Sequence, residues 1–176
     1  MRLNVGSGAT YKPGWINADL NPEVYPDVVF DLSRLLPFRE GSFDGVEMSH
    51  VLEHVAKPIG ALEEIWRVCK PDATVHVLSP HFRSRWAWGD PDHKSVIGVE
   101  LEGFISWERQ DDDFRAGAAT SQCRPVCDYD LLDSAVHSAP QETYWESEML
   151  LRVVKPIRDT FWIAERNRMK KERSRQ

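Results

Sequence analysis

Apolar positions along the chain fall into short runs with the alternation of strands, each closed by turn or polar residues. Leu3 and Val5 mark a strand over 2–5 that runs into Gly6-Ser7-Gly8. "WINADL" (15–20) alternates and closes on Asp19, "DVVFDL" (27–32) closes on Asp31, and "FDGVEMS" (43–49) closes on Ser49 ahead of His50. The period then changes. Ile59, Leu62, Ile65, Trp66 and Cys69 share one stripe over 58–70, behind a Pro58 suited to a first helical turn and ahead of Pro71, which stops the helix. "VLEHV" (51–55) predicts the start of a helix that Pro58 interrupts. "ATVHVLSP" (73–80) reads as a fifth strand, apolar enough to be buried on both faces. Residues 81–98 are irregular, and 99–120 predict a short helix and an acidic loop. "CRPVCDYDLL" (123–132) and "WESEMLLRVVK" (145–155) predict a late antiparallel strand pair, and 156–173 a C-terminal helix. Strands alternating with helices predict an α/β fold with a mostly parallel sheet.

Composition narrows the classes. The 176 residues suit one domain with a sizeable core. A formal net charge of -6 argues against general nucleic-acid affinity, which rests on neutralising phosphates. Glu100 to Asp113 is acidic and Arg166 to Arg175 basic, and the basic tail is expected to be a solvated terminus. No run approaches the ~18 apolar residues of a membrane span. "MRLNVGSG" enters a glycine loop directly, so no leader is expected and a cytoplasmic location is. Cys69, Cys123 and Cys127 form no paired framework, and a lone C-x-x-x-C does not make a zinc site.

In an open parallel sheet, ligands bind outside the carboxyl ends of the strands. Here those ends carry Gly6-Ser7-Gly8, then Asp19, then Asp31, then Ser49 and His50. Glycines let backbone approach a ligand closely. An acid after the second strand can accept ribose hydroxyls, and one after the third can accept an adenine amino group. The order describes a nucleoside site. A dinucleotide site needs G-x-G-x-x-G leading into a helix. "ATYKPG" (9–14) lacks the third glycine and cannot hold that helix, so a pyrophosphate is disfavoured. Asp31 alone reads equally well as a turn residue.

"LNVGSG", "INADL", "VVFDLSRLLPFREGSFDGVEMSHVLEHV" and "ALEEIWRVCKPDATVHVLSP" resemble the class I S-adenosylmethionine-dependent methyltransferases of the broad type-11 branch, over residues 3–80. The resemblance implies a Rossmann-like sheet and S-adenosyl-L-methionine as cofactor. It implies that Gly6, Ser7 and Gly8 line the methionine part, that Asp19 and Leu20 hold the ribose and Asp31 and Leu32 the adenine, and that Ser49 and His50 lie beside the transferable methyl. The chain departs from the family where the first helix is cut to a loop, where Asn4 replaces a frequent acid, and where Asp72 stands in place of the usual "KPGG" glycine. A single domain is expected, with 1–80 as the cofactor half, 81–155 as the acceptor side and 156–176 as a helix and tail.

Asp90-Pro91-Asp92-His93 resembles a "DP-x-H" subset of small methyltransferases associated with sugar or cell-surface glycan modification. That implies a small-molecule or glycan acceptor, methylated at oxygen. Such transfer needs a base near the acceptor hydroxyl, a role suited to imidazole. His93, oriented by Asp90 or Asp92, is the candidate, with His50 and His81 as competitors. An Asx turn around Pro91 is the alternative. His81, Arg83, Trp86 and Asp92 are candidate acceptor contacts, and Trp86 and Trp88 either stack on an acceptor or pack a lid.

"HVLEH" (50–54) also matches the zinc-peptidase pattern H-x-x-E-H, with His50 and His54 on one helix face and Glu53 as base. Its place at a strand-to-helix junction, with no obvious third ligand downstream, opposes that reading. No metal is expected, and a zinc-dependent hydrolase stays a remote alternative. In the favoured reading Leu52 packs under the sheet, Glu53 is exposed or faces a loop, and His54 bonds a neighbouring loop. A non-catalytic cofactor-binding module is the other alternative, motivated by the shortened first loop.

Overall fold

Alternating apolar positions build the sheet, and the sheet places every strand end named above on one edge. The computed structural model describes residues 1–98, 101–105, 127–138 and 145–155. Its strands are β1 (Arg2–Val5), β2 (Ile16–Asp19), β3 (Val28–Val29), β4 (Phe43–Ser49), β5 (Cys69–Pro80), β6 (Tyr129–Ser138) and β7 (Trp145–Val153). Their order in the sheet is β3-β2-β1-β4-β5-β7-β6. The first five run parallel, and β7 lies antiparallel to both β5 and β6. The expected fold class holds: a Rossmann-like, mostly parallel sheet with a late antiparallel pair. Helix α1 (Pro58–Val68) crosses from β4 to β5, and α2 (Arg85–Gly89) and α3 (Glu102–Ile105) are short. No helix among the described residues is long and apolar enough to cross a membrane.

Leu3, Val5, Val46, Met48, Val75, Val77, Met149 and Leu151 alternate on adjacent strands and are buried with Leu62 and Ile65 of α1. Burying each such side chain contributes about 1.5–3 kcal/mol. Trp66 ties α1 to the far strands, its indole N–H shared between the carbonyls of Asp128 (3.1 Å) and Val154 (3.0 Å).

Four local expectations are corrected. The third strand is only Val28–Val29, because the chain turns at Asp31 to meet Ser33. Residues Leu52–His54 form a single 3-10 turn rather than an α-helix, since His50 takes a positive φ of 55°. Helix α1 ends at Val68, and Cys69 and Lys70 already belong to β5. β5 is buried on one face only: Ala73, Val75, Val77 and Ser79 are buried, while Thr74 is exposed and His76 bonds Glu148 of β7 at 2.6 Å. The predicted short helix appears as α3. The acidic stretch beyond residue 105, Cys123, the C-terminal helix and the basic tail lie outside the described residues.

The shortened first crossover is fastened by side chains. Asn17, fully buried on β2, accepts from the Lys12 N–H (2.8 Å) and donates to the Lys12 and Trp15 carbonyls and to Asp27 Oδ2. Asn4 donates to Asn17 Oδ1 (3.0 Å) and to the Thr10 carbonyl (2.9 Å). A carboxylate at position 4 could donate neither bond. The departure to Asn therefore suits a loop that has lost its helix.

Candidate functional site

β1 delivers the glycine loop to the carboxyl edge. Gly6 and Gly8 both have positive φ, 62° and 47°. A Cβ on Gly6 would lie 2.2 Å from Val51 Cγ2, so this glycine lets the β4 loop pack on the turn. A Cβ on Gly8 would meet nothing within 4 Å. Ser7 is buried, and its N–H bonds the Ala18 carbonyl at 3.1 Å. Asp19, at the end of β2, accepts from the Gly8 N–H through Oδ2 (2.8 Å) and from the Asn21 N–H through Oδ1 (2.8 Å). A carboxylate has about four acceptor sites, so Asp19 keeps capacity for ribose hydroxyls. Leu20 beside it is exposed. Gly8 with its bare outward face and Asp19 with spare lone pairs fit a nucleoside cofactor.

Asp31 turns on itself. Its Oδ1 accepts from the Ser33 N–H (2.9 Å) and hydroxyl (2.6 Å), and Arg34 faces Oδ2 at 3.3 Å. The Ser33 bonds hold its carboxyl below the usual range. Leu32 is buried in the core. A pocket of about 480 Å³ opens between Leu32–Leu35 and the first turns of α1. It shares Leu32 with the expected adenine end but contains none of Gly6, Gly8 and Asp19.

The β4 end holds the densest chemistry. Ser49 is exposed at the strand end. His50 follows in the left-handed region, a conformation that costs a β-carbon-bearing residue about 1–3 kcal/mol and clusters at functional sites. Its Nε2 meets Glu146 Oε1 of β7 at 2.8 Å, and its Nδ1 lies 3.3 Å from Glu53 Oε1. The Glu53 carboxylate, helped by Glu146, holds the imidazole above its ordinary pKa, against the partial burial that opposes it. Glu53 is 2% exposed, which rules out the exposed one of its two expected settings, because the 3-10 turn aims it inward. The buried Ser79 hydroxyl donates to Glu53 Oε2 at 3.1 Å, and the Glu53 carbonyl accepts from the Lys94 and Ser95 N–H groups. Leu52 packs in the core and His54 Nδ1 meets the Asp92 carbonyl at 3.3 Å, both as expected.

The "DPDH" segment closes on this loop. Asp90 forms the Asx turn, its Oδ1 accepting from the Asp92 N–H at 2.9 Å. His93 Nε2 lies 3.7 Å from Asp90 Oδ2, with the His93 side chain only 8% exposed. Its ring stands edge-on to His54, centroids 4.8 Å apart. The turn thus brings His93 to the "HVLEH" loop.

Between β5 and that turn lies an aromatic and cationic surface. His81 is buried, its Nδ1 accepting from the Arg83 N–H at 3.2 Å. Phe82, Trp86 and Trp88 are 44%, 48% and 70% exposed, which excludes a packed lid of those two tryptophans among the described residues. Arg83 lies over Phe82 and over Trp145, and Arg85 over Trp86. Asp92 is exposed. Sequence reasoning missed Glu146, Ser79 and Asn17. Asn17 carried a faint signal, a polar residue at a core-facing position of an alternating strand.

Residues 12–77 match the family model described as a methyltransferase domain. No curated protein sequence matches the chain. Among solved structures, it is similar to the cyclase SpnF (14% identity, 87% of this chain and 75% of that one, TM-score 0.56). It is similar to a SAM-dependent methyltransferase from Methanosarcina mazei (14% identity, 87% and 92%, TM-score 0.54). A third is the methyltransferase CalH in complex with SAH (18% identity, 87% and 51%, TM-score 0.52). The chain shares the fold of these solved structures, and its residues 12–77 resemble a methyltransferase domain.

Proposed function

We propose that the protein transfers a methyl group from S-adenosylmethionine to an oxygen of a small-molecule or glycan acceptor. The observation that carries the cofactor half is the Gly8 N–H to Asp19 bond, which holds an acid with spare acceptor sites beside an open glycine face. Gly6, Ser7 and Gly8 would flank the methionine part, Asp19 and Leu20 the ribose, and Asp31 with Leu32 the adenine. When bound, the cofactor supplies an electrophilic methyl on a sulfonium. The chain's part is alignment: His50, held between two carboxylates, gives a wall at the β4 end, and proximity of this kind lowers the barrier, while the acceptor hydroxyl gives up its proton to a base or to solvent water as the new C–O bond forms.

The exposed Phe82, Trp86 and Trp88 support the acceptor half. Aromatic faces at this edge suit a sugar ring, and Arg83 and Arg85 add cationic donors for its polar groups. Because SpnF is a cyclase on a similar fold, the fold alone does not assign the reaction.

Calorimetry with S-adenosylhomocysteine tests the cofactor half. One site per chain is expected, lost in Asp19→Ala with the circular dichroism spectrum retained. No heat at millimolar ligand would remove the proposal. Labelled methyl transfer to a panel of sugars tests the rest, and binding without transfer to any acceptor would favour a cofactor-binding module instead.

A further inference from the structure

We infer that Glu53, His54 and His93 form a binding site for a divalent first-row transition cation of the zinc type. Each residue offers one ligand atom, and the three atoms lie within 4.8 Å of one another. Two imidazoles and one carboxylate are a donor set suited to zinc or its neighbours rather than to magnesium or calcium.

Unmet polar atoms point the same way. Glu53 Oε1 and His93 Nδ1 are buried without a hydrogen-bond partner, on side chains 2% and 8% exposed. The only charged contact of Glu53 Oε1 among the described residues is His50 Nδ1, at 3.3 Å. Leaving a buried group such as His93 Nδ1 unmet costs about 1–3 kcal/mol, a cost that a cation would remove.

Two of the three ligands are already held from behind, and a carboxylate stands near the third. Ser79 donates to Glu53 Oε2, the Asp92 carbonyl takes His54 Nδ1, and Asp90 Oδ2 lies 3.7 Å from His93 Nε2. Outer partners of this kind fix the tautomer and orientation of metal ligands. They leave one carboxylate oxygen of Glu53 and one ring nitrogen of each histidine for the ion. Ligand atoms about 2.1 Å from a tetrahedral ion sit roughly 3.3 Å apart, so small side-chain rotations close the cluster. Three protein ligands leave a position open.

The set differs from the zinc-peptidase pattern suggested by "HVLEH". His50 turns to Glu146, and His93, supplied by the "DPDH" turn, takes its place. Cation binding here does not depend on methyl transfer, and it is measured without S-adenosylmethionine.

The test uses the full chain, stripped with a chelator and titrated with Zn²⁺ by calorimetry and with Co²⁺ by visible absorption. The wild-type chain is expected to take one tight equivalent and to develop the visible bands of a four- or five-coordinate Co²⁺. His93→Gln and His54→Gln, checked for folding by circular dichroism, are expected to weaken binding roughly tenfold or more. His137→Gln, at the separate His76–Glu148–His137 cluster, is expected to bind as the wild type does. Absence of a stoichiometric site in the wild-type chain overturns the assignment. So does binding that survives His93→Gln and His54→Gln but falls with His137→Gln. If either ligand variant unfolds, Ser79→Ala, which removes only an outer partner, is read in its place, and unchanged affinity there overturns the assignment.

Discussion

Gly6→Ala and Gly8→Ala put the same methyl group on two residues of one turn, and the structure predicts different costs. Both have positive φ, so both variants carry the left-handed penalty, about 1–2 kcal/mol. Gly8 adds nothing to that, since no atom lies within 4 Å of its new Cβ. Gly6 adds a collision: its Cβ would stand 2.2 Å from Val51 Cγ2, with Val51 Cβ and Cγ1 at 3.4 Å. A β-branched side chain has one strongly preferred rotamer and cannot swing clear cheaply. Overpacking of this kind costs about 1–3 kcal/mol, which puts Gly6→Ala at about 2–5 kcal/mol in all. Urea unfolding followed by circular dichroism measures both variants. Val51→Ala isolates the clash. Alone it costs about 1.5 kcal/mol in lost burial, yet in the Gly6→Ala background it should be neutral or stabilising. Equal destabilisation by the two glycine variants, or an additive double mutant, would refute the close approach of the β4 loop to the glycine turn.

Other consequences follow from buried and paired groups. Asn17→Ala leaves the Lys12 N–H, Lys12 and Trp15 carbonyls and Asn4 amide without their partner, for a loss of roughly 2–4 kcal/mol in urea unfolding; a loss under 1 kcal/mol would contradict the fastening role. Glu64 is held below the usual carboxylate range by Arg67, aided by the Leu36 N–H. Its contribution is therefore complete above the unfolded pKa and disappears as pH falls through the lower folded value. The stability gap between wild type and Glu64→Gln should be largest near neutrality and close below about pH 4, and a gap constant from pH 7 to 3 would count against the pairing. Burial pushes the Cys69 thiol up to about 12, so iodoacetamide at pH 8 should label it only in urea, as read by peptide mass spectrometry. Native labelling at the denatured rate would mean that β5 opens readily.

The sheet was legible because its signal is local. Alternation within four to seven residues marked β1, β2 and β4, and the glycines after β1, the acid closing β2 and Ser49-His50 after β4 marked the carboxyl edge. The same locality explains the failures. A helix after β4 would leave Glu53 exposed or facing a loop, and only the positive φ of His50, which no residue type announces, turns it into the buried interior. Glu146 sits 96 residues from His50 and meets it only because β7 inserts beside β5. Asp31 was balanced between binding and turning, and its bonds to Ser33 show the turn without excluding an approach from outside.

The "HVLEH" and "DPDH" segments were weighed as separate motifs, one for a metal and one for a base, and their juxtaposition changes both. A base must reach the acceptor, yet His93 is sealed against His54, with Asp90 spent on its turn. His50 and His54 do not share an α-helical face, because only a 3-10 turn over Leu52–His54 forms there and His50 precedes it at positive φ. What the packing does bring together is the one carboxylate that "HVLEH" buries and the imidazole that "DPDH" folds over it. The 3-10 turn and the Asx turn, each unremarkable alone, are the devices that make them neighbours. A substitution that straightens either turn should therefore disturb both segments: Pro91→Gly, which frees the backbone between Asp90 and Asp92, is expected to weaken Zn²⁺ binding while leaving S-adenosylhomocysteine binding at Asp19 within twofold. Parallel loss of both ligands in that variant would mean that the two loops form one site, and the division drawn between cation and cofactor would fall.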